Sequence, residues 1–354
     1  MKKVSTTFRF FASPRFLTFF LLILAGVALA PAQAADSSAP PAASPAIQSG
    51  PAPSVTLSIP APRLSGLFQF WSLYDLDAPD AFRIRRSEVK FSGDMNSQWS
   101  YVVMFDAAKK LAPAGPDFSI LQDAYVAWKP ADVAAFKLGQ FKIPVTEESL
   151  RSSAKIDTIE RSQIARTFGD KRDIGFQTDI SLPMSKWALG FFNGEGPNVT
   201  ETNDFKDFGG RVVITPLPMI EAGASFYDGK VGVAETLKRR AGWEVRYLGD
   251  PVRLNAEYMD AIDGTTGKNG YYVQGVYKMH PNLSVVVKYD ILDPDKNIAS
   301  NSRQEITSGF IWQEKGSPLT IHGDMITIHD DGAALKDERQ FLLAVQFTPE
   351  FNFK

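Results

Sequence analysis

The chain has 354 residues, 38 basic and 40 acidic, a near balance on the acidic side that argues against nucleic-acid binding. Cysteine is absent, which excludes disulfides, metal-thiolate sites and cysteine nucleophiles together. The 44% hydrophobic share suits a soluble protein, but it also suits a barrel whose lipid-facing and water-facing residues alternate, so pattern has to decide.

At the start of the chain, Lys2, Lys3, Arg9 and Arg15 surround the beginning of an apolar run over 16–30, which is followed by Ala32-Gln33-Ala34. Basic residues, an apolar stretch and a small-x-small site predict an export signal over 1–34 and a mature chain from Ala35. An uncleaved anchor is the alternative, although the run falls short of the ~20 residues of a spanning helix. Without residues 1–34 the chain keeps 34 basic against 40 acidic residues, a net charge of −6. Residues 35–62 are Ala, Pro and Ser with almost no aromatic side chain, which predicts an extended periplasmic spacer. A binding role towards the cell wall is the other reading of that stretch.

From Arg63 the texture changes to short alternating apolar and polar stretches rich in Phe, Tyr, Trp and Val, separated by Gly, Pro, Asn and Asp. Sixteen strands are predicted, over 64–74, 81–91, 99–106, 120–128, 134–143, 172–181, 187–193 and 208–215, then 220–227, 239–248, 252–260, 271–279, 283–292, 304–314, 319–327 and 339–347. No later stretch holds the ~18 consecutive apolar residues of a spanning helix, so membrane insertion would require a closed barrel. Short connections such as Leu182-Pro183-Met184-Ser185, Gly249-Asp250-Pro251 and His280-Pro281-Asn282 alternate with longer ones over 107–119, 144–171, 194–207, 228–238, 261–270, 293–303 and 328–338. That alternation predicts an all-β, transmembrane antiparallel barrel over 63–354, with periplasmic turns at one end and outer loops at the other. Near the end of the chain, Phe341, Leu343, Val345, Phe347, Phe351 and Phe353 share one parity, a face suited to lipid or to the barrel-assembly machinery.

The blocks Phe82-Arg83-Ile84-Arg85-Arg86, Gln122-Asp123-Ala124-Tyr125-Val126, Gly139-Gln140-Phe141-Lys142-Ile143-Pro144 with Glu147-Glu148, Ile159-Glu160-Arg161-Ser162 and Lys171-Arg172-Asp173-Ile174-Gly175-Phe176 occur in this order. Through them the chain resembles the phosphate-selective porin O and P family from about 63 to 353. The resemblance implies a sixteen-stranded outer-membrane porin, a homotrimer, an inward-folded third outer loop and a lumen with basic residues. The expected function is passive diffusion of small hydrophilic solutes, with a preference for anions or phosphate.

Candidate pore residues follow from parity and loop length. Apolar positions change parity midway through 82–92, and a β-bulge at Arg85-Arg86 would restore it and turn Arg83, Arg86, Glu88 and Lys90 inward. Arginine there can pair with phosphate or carboxylate oxygens, or simply hydrate the wall and pair with Glu88 or Asp106. Segment 144–171 is the longest outer connection; 147–153 and 156–165 have helix-compatible composition, with Arg151, Lys155, Arg161 and Arg166 interleaved among Glu147, Glu148, Asp157 and Glu160. Placed inside the barrel, such charges would filter solutes; placed outside, they would form a solvated lid. The predicted constriction is Arg151, Lys155 and Arg161, with Arg83, Arg86, Lys90 and Lys142 from the wall. Trp71, Tyr74, Trp99, Tyr101, Trp128, Trp187, Tyr227, Tyr247 and Tyr289 are expected in aromatic girdles, a sugar-stacking track being the alternative.

An enzyme finds no G-x-S-x-G or H-E-x-x-H, and only His280, His322 and His329 among histidines. No cofactor is expected; Asp290, Asp293 and Asp295 are read as a solvated acidic loop in preference to a divalent-ion site. An outer-membrane barrel enzyme and a structural or adhesive barrel remain the alternatives to a porin. Expected partners are outer-membrane lipid and lipopolysaccharide, small anions and the assembly machinery.

Overall fold

The computed structural model describes residues 61–75, 79–111, 120–169, 171–332 and 337–352; the expected signal, all but the last two residues of the spacer, and Phe353 lie outside the described residues. The strands are β1 (Arg63–Asp75), β2 (Ala81–Asp94), β3 (Trp99–Asp106), β4 (Leu121–Ala131), β5 (Ala134–Lys142), β6 (Arg172–Leu182), β7 (Ser185–Phe192) and β8 (Asp207–Leu217). They continue with β9 (Ile220–Val231), β10 (Thr236–Leu248), β11 (Val252–Asp263), β12 (Thr266–His280), β13 (Leu283–Asp293), β14 (Arg303–Gln313), β15 (Leu319–Asp330), β16 (Glu338–Phe347) and the short β17 (Glu350–Asn352). Each strand pairs antiparallel with its sequence neighbour, and β1 pairs with both β2 and β16, which closes the sheet. β17 continues β16 along β1 after a break at Thr348 and Pro349, where proline has no N–H for the ladder, so the barrel has sixteen strands. Among the described residues no helix is long and apolar enough to cross a membrane.

Side chains sort cleanly by face. In β11, Leu254 and Tyr258 are exposed while Asn255, Glu257, Met259 and Ala261 are buried; β13 and β15 repeat the pattern with Val287 and Met325 outside and Lys288, Asp290, His322 and Asp324 inside. The outer face is apolar and carries aromatic stacks. Trp99, Trp128, Phe136 and Phe176 follow one another at centroid distances of 5.9, 5.5 and 6.0 Å towards the short-turn end. Towards the other end Phe191 stacks on Phe208 at 4.9 Å, and Phe226 meets Phe208 at 5.1 Å with its ring tilted by 58°. Trp71 and Tyr227 depart from the girdle expectation: both are 4% exposed and point inward, because they share parity with Gln69 and Ser225.

Two predicted long connections are short. β9 and β10 are joined over 232–235, and β11 and β12 by Gly264-Thr265, with Gly264 at a φ of 60°. The extra strand length is charged on both faces, as in the Arg239–Asp228 and Arg240–Asp263 pairs at 2.7 and 2.5 Å, so it lacks the apolar alternation that marks a half-dry strand. In β2, Gln69 pairs with Arg86 and Phe70 with Ile84, so Arg85 is the extra residue of a bulge.

Candidate functional site

The inward face of the barrel is polar, and its main partner is the segment that follows β5. Thr146 holds a φ of 59°, unusual for a β-branched residue, where the chain enters the short helix α1 (Glu147–Leu150). A 3-10 turn covers Ser153–Lys155 and a π turn Ala165–Gly169; 156–162 is irregular, so the two helices expected from composition are reduced to single turns. The reason lies in where the backbone amides go. Glu147 N and Glu148 N donate to the two oxygens of Glu257 on β11 at 2.8 Å each, and Ile159 N donates to Asp324 on β15 at 2.6 Å. Gln163 N donates to Asp290 on β13 at 2.6 Å, and Ser162 N to Glu148 at 2.7 Å. Irregular backbone in a buried place needs such partners, and carboxylates on alternate inward positions supply them.

Carbonyls of the segment are held by cations. Lys142 donates to Ser149 O and, at 3.4 Å, to Arg151 O; Lys288 donates to Thr158 Oγ1 and Glu160 O at 2.8 Å each. Apolar side chains complete the seat. Val145, Ile164 and Phe168 pack with Phe141, Phe192, Tyr227, Met259 and Tyr272, while Ile159 packs with Trp71, Ile326, Ile328 and Leu342. Ion pairs bind the same segment to the wall: Arg166 to Glu305 at 2.6 Å, Arg253 to Asp157 at 2.6 Å, Arg85 to Glu160 at 3.6 Å, and Arg246 to Glu147.

The charges of the segment respond to these surroundings. Burial pushes the Glu160 carboxyl up, but Arg85, Arg166, Arg86 and Lys288 outweigh burial and hold it below its ordinary 4.5. Burial likewise opposes the charge on Arg151, and Glu147, Tyr272 and Asp157 together more than offset it, so that guanidinium titrates above its usual range.

Below the segment, towards the short-turn end, lies a cavity of about 760 Å³. Its cations are Lys90, Lys142, Arg151, Lys155, Arg172 and Arg253, and its acids are Glu88, Asp123, Asp157 and Glu350. Asp123 is paired with Arg172 at 2.6 Å, and Asp157 with Arg151 at 3.1 Å as well as with Arg253. An adjoining cavity of about 440 Å³ shares Lys142 and adds Lys137, Lys186 and Arg211, with Asp123 and Asp179 as its acids.

Of the seven residues expected at a constriction, Lys90, Lys142, Arg151 and Lys155 line this one space. Arg83 stands opposite Trp71 in the β1–β2 register and lies outside that lining. Arg86 is 5% exposed and donates to Gln69 Oε1 at 2.6 Å. Arg161 is 2% exposed, inside the segment, donating to Glu148 O at 3.1 Å, Arg151 O at 2.8 Å and Ser153 Oγ at 3.3 Å. Arg85, Arg253, Lys288, Glu257, Asp290 and Asp324 were not expected at the site. Their inward parity is readable from the alternation, but their partner lies a hundred or so residues away in a loop. Asp290 thus belongs to the seat of the segment, apart from Asp293 and Asp295, and among the described residues no group of His, Asp or Glu is arranged to hold a metal.

Comparison with known proteins places this geometry. No curated protein matches the chain. Among solved structures, the anion-selective porin from Comamonas acidovorans superposes with a TM-score of 0.65 at 12% identity, over 82% of this chain and 99% of that one. OmpT of Vibrio cholerae in its trimer form gives 0.61 at 11% identity, over 82% and 100%, and the outer membrane channel DcaP of Acinetobacter baumannii 0.59 at 14%, over 81% and 97%. These likenesses establish the porin fold. The family model for phosphate-selective porin O and P matches residues 70–241, from β1 into β10 and across the whole of segment 144–171. The chain is therefore similar to the phosphate-selective porin O and P family over residues 70–241, and it is an outer-membrane channel for small solutes.

Proposed function

We propose that this channel conducts small hydrophilic solutes passively with a preference for anions, that it works as a trimer, and that segment 144–171 sets its narrowest point. The observation that carries the anion preference is the lining of the main cavity, six cationic side chains against four acidic ones. Within it, Lys90 and Lys155 have no carboxylate in ion-pair range among the described residues, whereas Asp123 and Asp157 are already neutralised by arginine. Uncompensated positive charge in a narrow, low-dielectric passage raises the local anion concentration and repels cations. The acidic balance of the mature chain does not oppose this, because Glu195, Glu201, Asp295, Asp331 and Asp337 sit in the outer connections.

The similar anion-selective porin and the similar trimer support the same reading by analogy of fold. A purely passive role fits the placing of the histidines: His280 at a short-turn end, His322 on the inward wall and His329 near the outer rim. In planar bilayers, Lys90→Glu with Lys155→Glu should move the reversal potential towards the cation side. An unchanged reversal potential in that variant would place the selectivity elsewhere.

A further inference from the structure

Arg86, Gln69 and Gln346 stand side by side on β2, β1 and β16, in direct register across the seam where the last full strand meets the first. They are 5%, 5% and 3% exposed. Arg86 donates to Gln69 Oε1 at 2.6 Å, Gln69 Nε2 donates to Gln346 Oε1 at 2.6 Å, and Gln346 Nε2 donates to Ala154 O at 3.1 Å. Gln69 Nε2 also reaches Ser153 O at 3.5 Å. Arginine has donors only, so it obliges Gln69 to present its oxygen, and each later amide then has one orientation that satisfies it. The positive end of this aligned row meets the carbonyl of Ala154, next to Lys155, whose side chain is exposed in the main cavity. Aligned amides that begin at a cation polarise one another.

We propose that Gln69 and Gln346 are positioning residues of the channel, holding the 153–155 turn so that Lys155 stays at the passage. This rests on the reading of Lys155 as part of the anion filter. The turn is otherwise held by its own bonds, Lys155 N to Ser152 O at 2.9 Å and Ala154 N to Ser152 Oγ at 3.3 Å, and by Arg161 on Ser153 Oγ at 3.3 Å, none of which ties it to the wall of β1 and β16.

The test uses the purified full chain in planar bilayers under a salt gradient, with Gln346→Met, Lys155→Gln and the double variant. Gln346→Met should lose as much anion preference as Lys155→Gln and show larger open-channel current fluctuations, while the double variant should lose no more than Lys155→Gln alone. Gln69→Met breaks the same relay one link earlier and replaces Gln346→Met if that chain does not fold, as judged by heat-modifiable gel mobility. If Lys155→Gln loses selectivity and neither glutamine variant does, the relay is not a positioning device. An additive further loss in the double variant also overturns it, since the effect would not pass through Lys155. If Lys155→Gln keeps wild-type selectivity, the filter reading falls and the proposal with it.

Discussion

At the scale of single residues, Asp324 shows how the inner wall is cut to hold the segment. Its side chain is fully buried, and one oxygen takes the Ile159 amide. The room for the other is made by Gly309 on β14, where an added Cβ would stand 2.0 Å from Asp324 Oδ1 and 2.6 Å from Gly323 O. Backbone cannot give way at that distance, so Gly309→Ala should displace the carboxylate and free the Ile159 amide. Leaving a buried amide unpaired costs about 1–3 kcal/mol, which is enough to expose 156–162 to limited proteolysis. Gly267→Ala, whose nearest neighbour would be Lys296 Cδ at 3.5 Å, should leave the cleavage pattern as in wild type. Equal cleavage of the two variants would contradict this role of Gly309.

Glu160 provides a pH test at the same scale. Its folded-state value lies below the ordinary 4.5, so its stabilising contribution is complete above 4.5 and is lost only as pH falls through the lowered value. The steadying effect of Glu160, read as the difference in single-channel noise between wild type and the variant without its charge, should therefore stay level from neutral pH down to 4.5 and fade below it. Glu160→Gln, which leaves Arg85 and Arg166 facing a neutral amide, should raise the noise at neutral pH. A rise in wild-type noise centred near neutrality would point to another group.

At the scale of elements, segment 144–171 is fastened twice, by polar bonds to alternate strands and by an apolar plug. Phe168 is 2% exposed within the cluster of Phe141, Phe192, Tyr227 and Tyr272. Phe168→Ala should cost about 3–5 kcal/mol of local stability, read as an increase in hydrogen exchange across 144–169 with the strands unaffected. Removing 151–160 altogether should raise single-channel conductance, because a sixteen-stranded wall encloses a space wide enough for an aqueous channel. Conductance equal to wild type after that deletion would mean that the segment does not narrow the passage.

The strands were legible because a half-dry strand alternates, and from β3 to β8 and β13 to β16 the predicted limits lie within three residues of those observed. Where β9 to β12 extend into water on both faces, as at Arg239, Arg240 and Lys268, alternation vanishes and the sequence reads as loop. The bulge at Arg85 was visible as a parity change, since two neighbouring residues cannot otherwise share a face. The seat of the segment was not visible. Glu257, Asp290 and Asp324 look like ordinary lumenal charges until β11, β13 and β15 are brought beside the loop. Arg161 shows the converse limit: as a basic residue in a charged loop it looked like a filter, yet burial turns it into a clasp for the loop's own carbonyls.

At the scale of the whole molecule, the net charge of the chain and the charge of the passage are separate quantities. Fixed lining charges act over a Debye length, ~10 Å at 0.1 M salt and ~3 Å at 1 M. Anion preference should accordingly weaken as salt rises, and a preference independent of salt would instead indicate discrete, saturable binding. A trimer predicts that mild-detergent extracts hold three barrels per particle and that conductance closes in three equal steps. Single-step closure with a one-barrel mass would count against it.

Anion preference is tested most directly by the reversal potential of the purified wild-type chain under a potassium chloride gradient across a planar bilayer. An anion-preferring channel lined by Lys90, Lys142, Arg151, Lys155, Arg172 and Arg253 predicts a potential displaced from zero towards the chloride equilibrium value. A potential at zero, or displaced towards the potassium value, would contradict it.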